Sequence, residues 1–272
     1  MLSEPFKPTP DHALNVLLKE LLIGMQAILK ENFLGAYLGG SFAHGGWDAF
    51  SDVDFIVVIE QDLTPPVREE LKVVHARIFT REHYWARHLE GSYFPKAILG
   101  DLSRTDEPIW YLDNGSLNFE RSTHDNTLVV RWVLRECGVT LAGPEPSAWI
   151  PPVPEGMLKA EVWKTMQDWG GEVLRDDYRI DNRWAQAFTV LSICRMLHTL
   201  DVGEVHSKPE GAAWAKEALD PDWADLIDDA LSARPNQYDK CYEPSDPHQV
   251  ERTKAFMRYA LDAAQTRWSM RA

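Results

Sequence analysis

The feature that most constrains this chain is the turn Gly39-Gly40-Ser41, followed after nine residues by Ser51-Asp52-Val53-Asp54 and the apolar run Phe55-Ile56-Val57-Val58-Ile59. Glycines at a turn let backbone N–H groups close on an anion such as a phosphate. Residues i and i+2 of a strand point to the same side, so Asp52 and Asp54 can share a divalent cation. A phosphate turn beside a carboxylate pair on a continuously apolar strand predicts metal-dependent chemistry on a nucleoside triphosphate. It also predicts a sheet covered on both faces.

The flanking sequence fits such a sheet. Residues 11–32 read as an amphipathic helix, capped near Thr9-Pro10-Asp11, with Leu14, Leu17, Leu18, Leu21, Met25, Ile28 and Leu29 at helical spacing. Ala36-Tyr37-Leu38 then forms a strand into the Gly-Gly-Ser turn, and residues 53–60 form a second. Pro65-Pro66 opens a short helix to Ala76, and residues 86–94 form a third strand carrying Glu90. Residues 95–122 read as loop, interrupted by Ile109-Trp110-Tyr111-Leu112, and residues 127–136 as helix. Gly143-Pro144-Glu145-Pro146 and Pro151-Pro152-Val153-Pro154 make the best linker. Beyond it the pattern is helical throughout, over about 156–177, 181–200, 208–232 and 246–270.

At 272 residues the chain exceeds the usual size of one domain. The expected architecture is therefore α+β: a domain over 1–150 with a small mixed sheet and flanking helices, and an α-helical bundle over 151–272. The apolar run from Val16 to Met25 is interrupted by Lys19 and Glu20 and is too short to span a bilayer, so a cytoplasmic protein that meets no membrane is expected. Cys137, Cys194 and Cys241 are odd in number and far apart, which gives neither a disulfide framework nor a zinc site. A net charge of −14 argues against a life on nucleic-acid backbones and suits small cationic partners, although acidic surfaces also serve solubility alone.

Nucleotidyl transfer needs a cradle for the triphosphate, metal ions to neutralise charge at phosphorus, and a base for the attacking hydroxyl. Gly40 and Ser41 supply the cradle, and Asp52 and Asp54 the metal ligands. Glu90 is the expected third carboxylate, because the next strand can lie beside the Asp52/Asp54 strand; Glu82 and Asp101 compete from less regular sequence. It serves as base, metal ligand or both.

The spacing of Gly-Ser and Ser-Asp-x-Asp before an apolar strand resembles the nucleotidyltransferase superfamily typified by DNA polymerase beta. Further landmarks narrow the resemblance. Glu90 lies 36 residues after Asp54, Leu141-Ala142-Gly143-Pro144 closes the first domain, and Ser207-Lys208 precedes a helix with Ala212-Ala213-Trp214-Ala215. That order, over about residues 36–235, resembles the aminoglycoside adenylyltransferases that modify streptomycin and spectinomycin.

The resemblance implies transfer of AMP from ATP to a hydroxyl of a small cationic antibiotic by a monomer that binds no nucleic acid. Asp52, Asp54 and Glu90 would hold two Mg2+ ions, with Glu90 also the base. Gly40, Ser41, Ser51, Arg195, Lys208 and Tyr238 would meet the nucleotide, and Trp110, Asp177 and Asp181 the antibiotic. Lys208 would reach across from the helical domain to the ATP phosphates; it also reads as a solvated lysine at a helix start. A second acid expected one turn after Asp181 falls on Ala185, which weighs against acceptors needing both. Trp110 matches its position loosely and also reads as a packed loop tryptophan, and Tyr238 matches poorly.

Two rival functions share the sequence. One is a nucleotidyltransferase with a protein or RNA acceptor; the other is a non-catalytic nucleotide-binding module, which retention of all three carboxylates disfavours. The signatures of P-loop hydrolysis, zinc proteolysis and the serine-hydrolase elbow are absent. His44, most of the eleven tryptophans and the acidic run from Glu217 to Asp229 read as structural or solvated.

Overall fold

A computed structural model describes residues 6–48, 51–233 and 243–268. The chain divides into two compact units, the first running to Val153 and the second from Pro154.

The first unit contains, in order, α1 (His12–Leu29), β1 (Phe33–Leu38), α2 (Gly40–Ala43), β2 (Val53–Ile59), α3 (Pro65–Phe79), β3 (Leu89–Pro95), α4 (Lys96–Leu99), β4 (Ile109–Leu112), β5 (Glu120–Ser122), α5 (Leu128–Cys137) and β6 (Val139–Ala142). The strands form one mixed sheet in the order β5-β4-β3-β2-β1-β6. Only β2 and β3 run parallel, with Asp54 opposite Glu90 and Phe55 opposite Gly91. The other pairs are antiparallel.

Strand alternation sorts the core into two layers. Val53, Phe55, Val57 and Ile59 of β2 join the leucines of α1 and Leu71, Val74 and Ile78 of α3 on one face. Ile56 and Val58 join Phe94, Ile98, Leu134 and Ile150 on the other. Asp52, Asp54 and Glu90 share the parity of Ile56 and Val58, which places the carboxylates on this second face. Helix α1 starts where the Asp11 carboxylate accepts the Leu14 N–H at 2.8 Å. The segment His12–Asn32 has the length and apolarity of a bilayer-crossing helix, but Leu14, Leu18, Leu21 and Met25 are almost fully buried against the sheet.

Arg131 of α5 is buried, and its guanidinium is held by the carbonyls of Leu99 (3.3 Å) and Ile98 (2.9 Å). These bonds tie α4 to α5 and offset part of the cost of burying the charge. On the opposite face, buried His75 shares a 2.8 Å hydrogen bond with the Tyr93 hydroxyl. Burial lowers the His75 pKa to about 4. The unfolded chain takes up a proton near pH 6.5 and the folded chain does so only near 4, so stability is lost as pH falls across that window, by up to about 3 kcal/mol. Urea unfolding of wild type and His75→Phe at pH 7 and pH 5 checks this: the difference between the two proteins should change by about 2 kcal/mol. Parallel pH dependences would remove His75 as the cause.

Several sequence expectations change. Residues 95–122 are not simply irregular: they supply α4, β4 and β5, elements of 4, 4 and 3 residues that are too short to carry a periodic signal. The third strand begins at Leu89, because Tyr84–Arg87 forms a 3-10 turn first. The boundary between the units, Val153/Pro154, falls at the end of the proline-rich stretch, and the residues before it pack on the first unit. The indole of Trp149 donates to the Tyr37 hydroxyl at 2.6 Å, that hydroxyl donates to the Pro144 carbonyl at 2.6 Å, and Ile150 is buried.

The second unit consists of α6 (Glu155–Leu174), α7 (Arg183–Val202), α8 (Lys208–Ala218), α9 (Ala224–Ala233) and α10 (Pro247–Arg267). The single helix expected over 208–232 is two, separated by Asp220-Pro221-Asp222, where proline cannot continue the α-helical ladder. Helix α7 is the central element, with Val190, Leu191, Ile193, Cys194 and Leu197 fully buried. Gly211 of α8 lets that helix approach closely: a Cβ there would stand 2.7 Å from the Arg195 Cα.

Candidate active site

The two halves of the Gly-Ser/Asp-x-Asp pattern meet where β1 and β2 lie side by side. The Gly39 N–H donates to the Asp54 main-chain carbonyl at 2.9 Å. Gly40 has φ +50°, and a Cβ added there would lie 1.6 Å from Asp54 Oδ2. Glycine is therefore required twice over, by backbone conformation and by the carboxylate lying against it. The turn continues as the single helical turn α2, anchored by buried Phe42, whose ring stacks on Trp47 at 5.2 Å. The Ser41 hydroxyl is buried and has no hydrogen-bond partner among the described residues, so it is a ready donor for a ligand oxygen. Ser51, also buried, leads into Asp52.

Asp52, Asp54 and Glu90 place one carboxylate oxygen each within 4.8 Å of one another. The parallel register of β2 and β3 brings Glu90 level with Asp54. Neither Glu82 nor Asp101 belongs to this group. Three hard oxygen donors at this separation fit a divalent cation of the Mg2+ kind.

The site extends beyond the three expected carboxylates. The Tyr111 hydroxyl donates to Glu90 Oε1 at 2.6 Å and lies 3.2 Å from Asp113 Oδ1. His124 Nε2 stands 3.5 Å from the same Glu90 oxygen, and its ring lies against that of Tyr111, centroids 5.2 Å apart. Asp125 accepts from the Ser92 hydroxyl at 2.6 Å, and a carboxylate oxygen of Asp125 lies within 4.8 Å of a Glu90 oxygen and a His124 ring nitrogen. Burial, followed by the negative charges of Asp52, Asp125 and Asp113, pushes Glu90 up to about 8, against the opposing hydrogen bond from Tyr111. Burial, with Asp52 adding, also raises Asp125. Burial and Glu90 hold the Tyr111 phenol far above its usual range, so it remains a donor. Such crowding of carboxylates is relieved by a bound cation.

Trp110 is not brought to this cluster. It and Tyr111 are neighbours on β4 and face opposite sides of the sheet, and Tyr111 takes the side with Glu90. The Trp110 ring packs against the α1/α3 layer, with the Arg68 guanidinium 3.8 Å and the Arg121 guanidinium 5.1 Å from its centre. A loose sequence match could not decide this one-residue parity. Tyr111, His124 and Asp125 had no local signal, because β4 and the loop before α5 reach the site only through tertiary pairing.

In the helical unit, Lys208 begins α8 behind a capping box in which Ser207 and Glu210 exchange hydrogen bonds. Its ammonium lies 4.6 Å from the centre of the Phe188 ring. The close α7–α8 packing puts Lys208 near the face of α7 that carries Phe188 and, two turns on, Arg195. Asp181 and Asp177 are exposed and already ion-paired, with Arg179 at 2.5 Å and Arg175 at 2.8 Å. Exposed pairs of this kind exchange partners at little cost. Ala185 is buried in the bundle. Tyr238 lies outside the described residues.

A mixed sheet that sets a Gly-Ser turn against three carboxylates, followed by a helical bundle, defines a nucleotidyltransferase, and residues 24–87 match the nucleotidyltransferase domain model. Residues 149–260 match the model of the aminoglycoside adenylyltransferase C-terminal domain. The chain is similar to the aminoglycoside adenylyltransferases. A spectinomycin 9-adenylyltransferase of Staphylococcus aureus is 24% identical over 256 residues, covering 88% of this chain and 90% of the relative. An aminoglycoside (3'') (9) adenylyltransferase of Klebsiella pneumoniae is 24% identical over 255 residues, covering 84% and 88%. The fold is similar to that of the spectinomycin adenyltransferase AAD(9) from Enterococcus faecialis, solved with ATP and spectinomycin. The TM-score is 0.68 at 16% identity, covering 92% of this chain and 99% of the other.

Proposed function

We propose that the protein transfers AMP from ATP to a hydroxyl of an aminoglycoside or aminocyclitol antibiotic, in the cytoplasm, and releases pyrophosphate. The observation that carries this reading is the convergence of Asp52, Asp54 and Glu90 beside the Gly40-Ser41 turn, in a chain similar to the aminoglycoside adenylyltransferases.

Glu90 takes the proton of the acceptor hydroxyl. The hydroxyl oxygen then bonds to the α-phosphorus in line with the bond to pyrophosphate, which breaks, and the proton remains on the Glu90 carboxyl. Asp52, Asp54 and Glu90 are the residues to hold two Mg2+ ions, which supply neutralisation of the charge building on the phosphoryl oxygens. The Ser41 hydroxyl and the backbone N–H groups of the turn bind phosphate oxygens. Lys208 and Arg195 add positive charge for the triphosphate, and Asp181 and Asp177 exchange their arginines for the ammonium groups of the acceptor. With Ala185 where a second acid is expected, an acceptor of the spectinomycin kind fits better than one that needs both acids.

Incubation with Mg-ATP and a panel of antibiotics including spectinomycin and streptomycin, read by mass spectrometry, tests the reading. Spectinomycin should gain one AMP. Labelling of a cellular protein or RNA with no change in any panel member would replace the small acceptor by a macromolecular one, and no ATP consumption with any acceptor would leave a binding module.

A further inference from the structure

The Glu90 carboxylate has two jobs in the proposed reaction, cation binding and proton removal, and its two oxygens are not equivalent in the fold. Both polar neighbours from β4 and the loop before α5 converge on Oε1: the Tyr111 hydroxyl at 2.6 Å and His124 Nε2 at 3.5 Å. We propose that Tyr111 and His124 are positioning residues that hold Oε1 of Glu90 and so turn Oε2 toward the cation and the acceptor hydroxyl. The inference rests on Glu90 acting as the base of the AMP transfer.

The geometry of the clamp supports this. Tyr111 is 4% exposed, and its register opposite Ser92 of β3 fixes the ring beside the strand that carries Glu90. The phenol has two acceptors within reach, and Glu90 Oε1 at 2.6 Å is much the nearer of the two, with Asp113 Oδ1 at 3.2 Å, so its one proton goes to Glu90. His124 closes over the Tyr111 ring from the solvent side, with its own side chain 63% exposed. A glutamate carries three rotatable bonds, and a base working at hydrogen-bond distance loses rate steeply with displacement. A donor that fixes one oxygen therefore sets where the other can be.

Two measurements on the full chain test the proposal. Mn2+ binding by electron paramagnetic resonance needs no acceptor: Tyr111→Phe, which keeps the ring and its packing, should bind Mn2+ about 3- to 10-fold more weakly than wild type. Steady-state transfer should show kcat lowered about 10- to 100-fold with the KM values for ATP and acceptor within about threefold. His124→Ala, at an exposed position, should show the same pattern at smaller amplitude and serves if Tyr111→Phe does not fold. Wild-type Mn2+ affinity and kcat in both variants would overturn the proposal, as would losses confined to KM. If wild type transfers no AMP to any acceptor, the functional reading fails by itself, and the Mn2+ comparison still decides whether the clamp orients Glu90.

Discussion

Glu90→Gln is expected to lower kcat for AMP transfer by about 10³-fold or more, because the amide can neither accept the acceptor proton nor serve as an anionic metal ligand. The same substitution should leave the protein at least as stable as wild type. Glu90 is 12% exposed and is crowded by Asp52, Asp125 and Asp113, so burying an ionisable carboxyl here costs stability that the neutral amide does not cost. The Tyr111 hydroxyl keeps an acceptor in the amide oxygen. Loss of turnover combined with an unchanged or raised Tm is the signature of a group held in place for chemistry at the expense of stability. Turnover within tenfold of wild type would remove Glu90 from the role of base.

Gly40→Ala should have the second-largest effect. Alanine pays about 1–2 kcal/mol at a left-handed backbone position, and its Cβ would occupy the place of the Asp54 carboxylate, 1.6 Å from Oδ2. Either the turn or Asp54 must move, and both belong to the site. A loss in kcat of about 100-fold is expected, since displacement of a ligand by about an ångström costs that much. Gly39→Ala is the control for the backbone: φ there is −111°, and nothing stands within 4 Å of an added Cβ. Its thermal midpoint should match that of wild type, whereas Gly40→Ala should unfold earlier. A Gly40→Ala protein with full turnover would mean that Asp54 does not have to lie where the structure puts it.

These two residues also show which parts of the site could be read from sequence. A glycine beside a carboxylate-bearing strand is a local pattern, and the side-chain alternation that aligns Asp52 with Asp54 is a property of any strand. Glu90 required one further step, that the next strand returns through α3 to lie next to β2, the commoner arrangement for consecutive strands. Tyr111 required the antiparallel return of β4, and Asp125 the packing of α5 over the sheet, neither of which leaves a short-range trace. The contrast between Trp110 and Tyr111 is the sharpest case. Adjacent aromatics on one short strand go to opposite faces, one to two arginines and the other to Glu90.

The amino-acid order alone determined the α+β class, the helical second half, and the Gly-Ser turn with its three carboxylates, because each depends on contacts within a turn, a strand or one strand pair. Tertiary structure alone decided that Trp149 and Ile150 pack onto the first unit, that Ala185 is buried, and that Tyr111, His124 and Asp125 surround Glu90. Those outcomes depend on which face of the sheet or helix each segment covers. That choice is made by burial summed over the whole core.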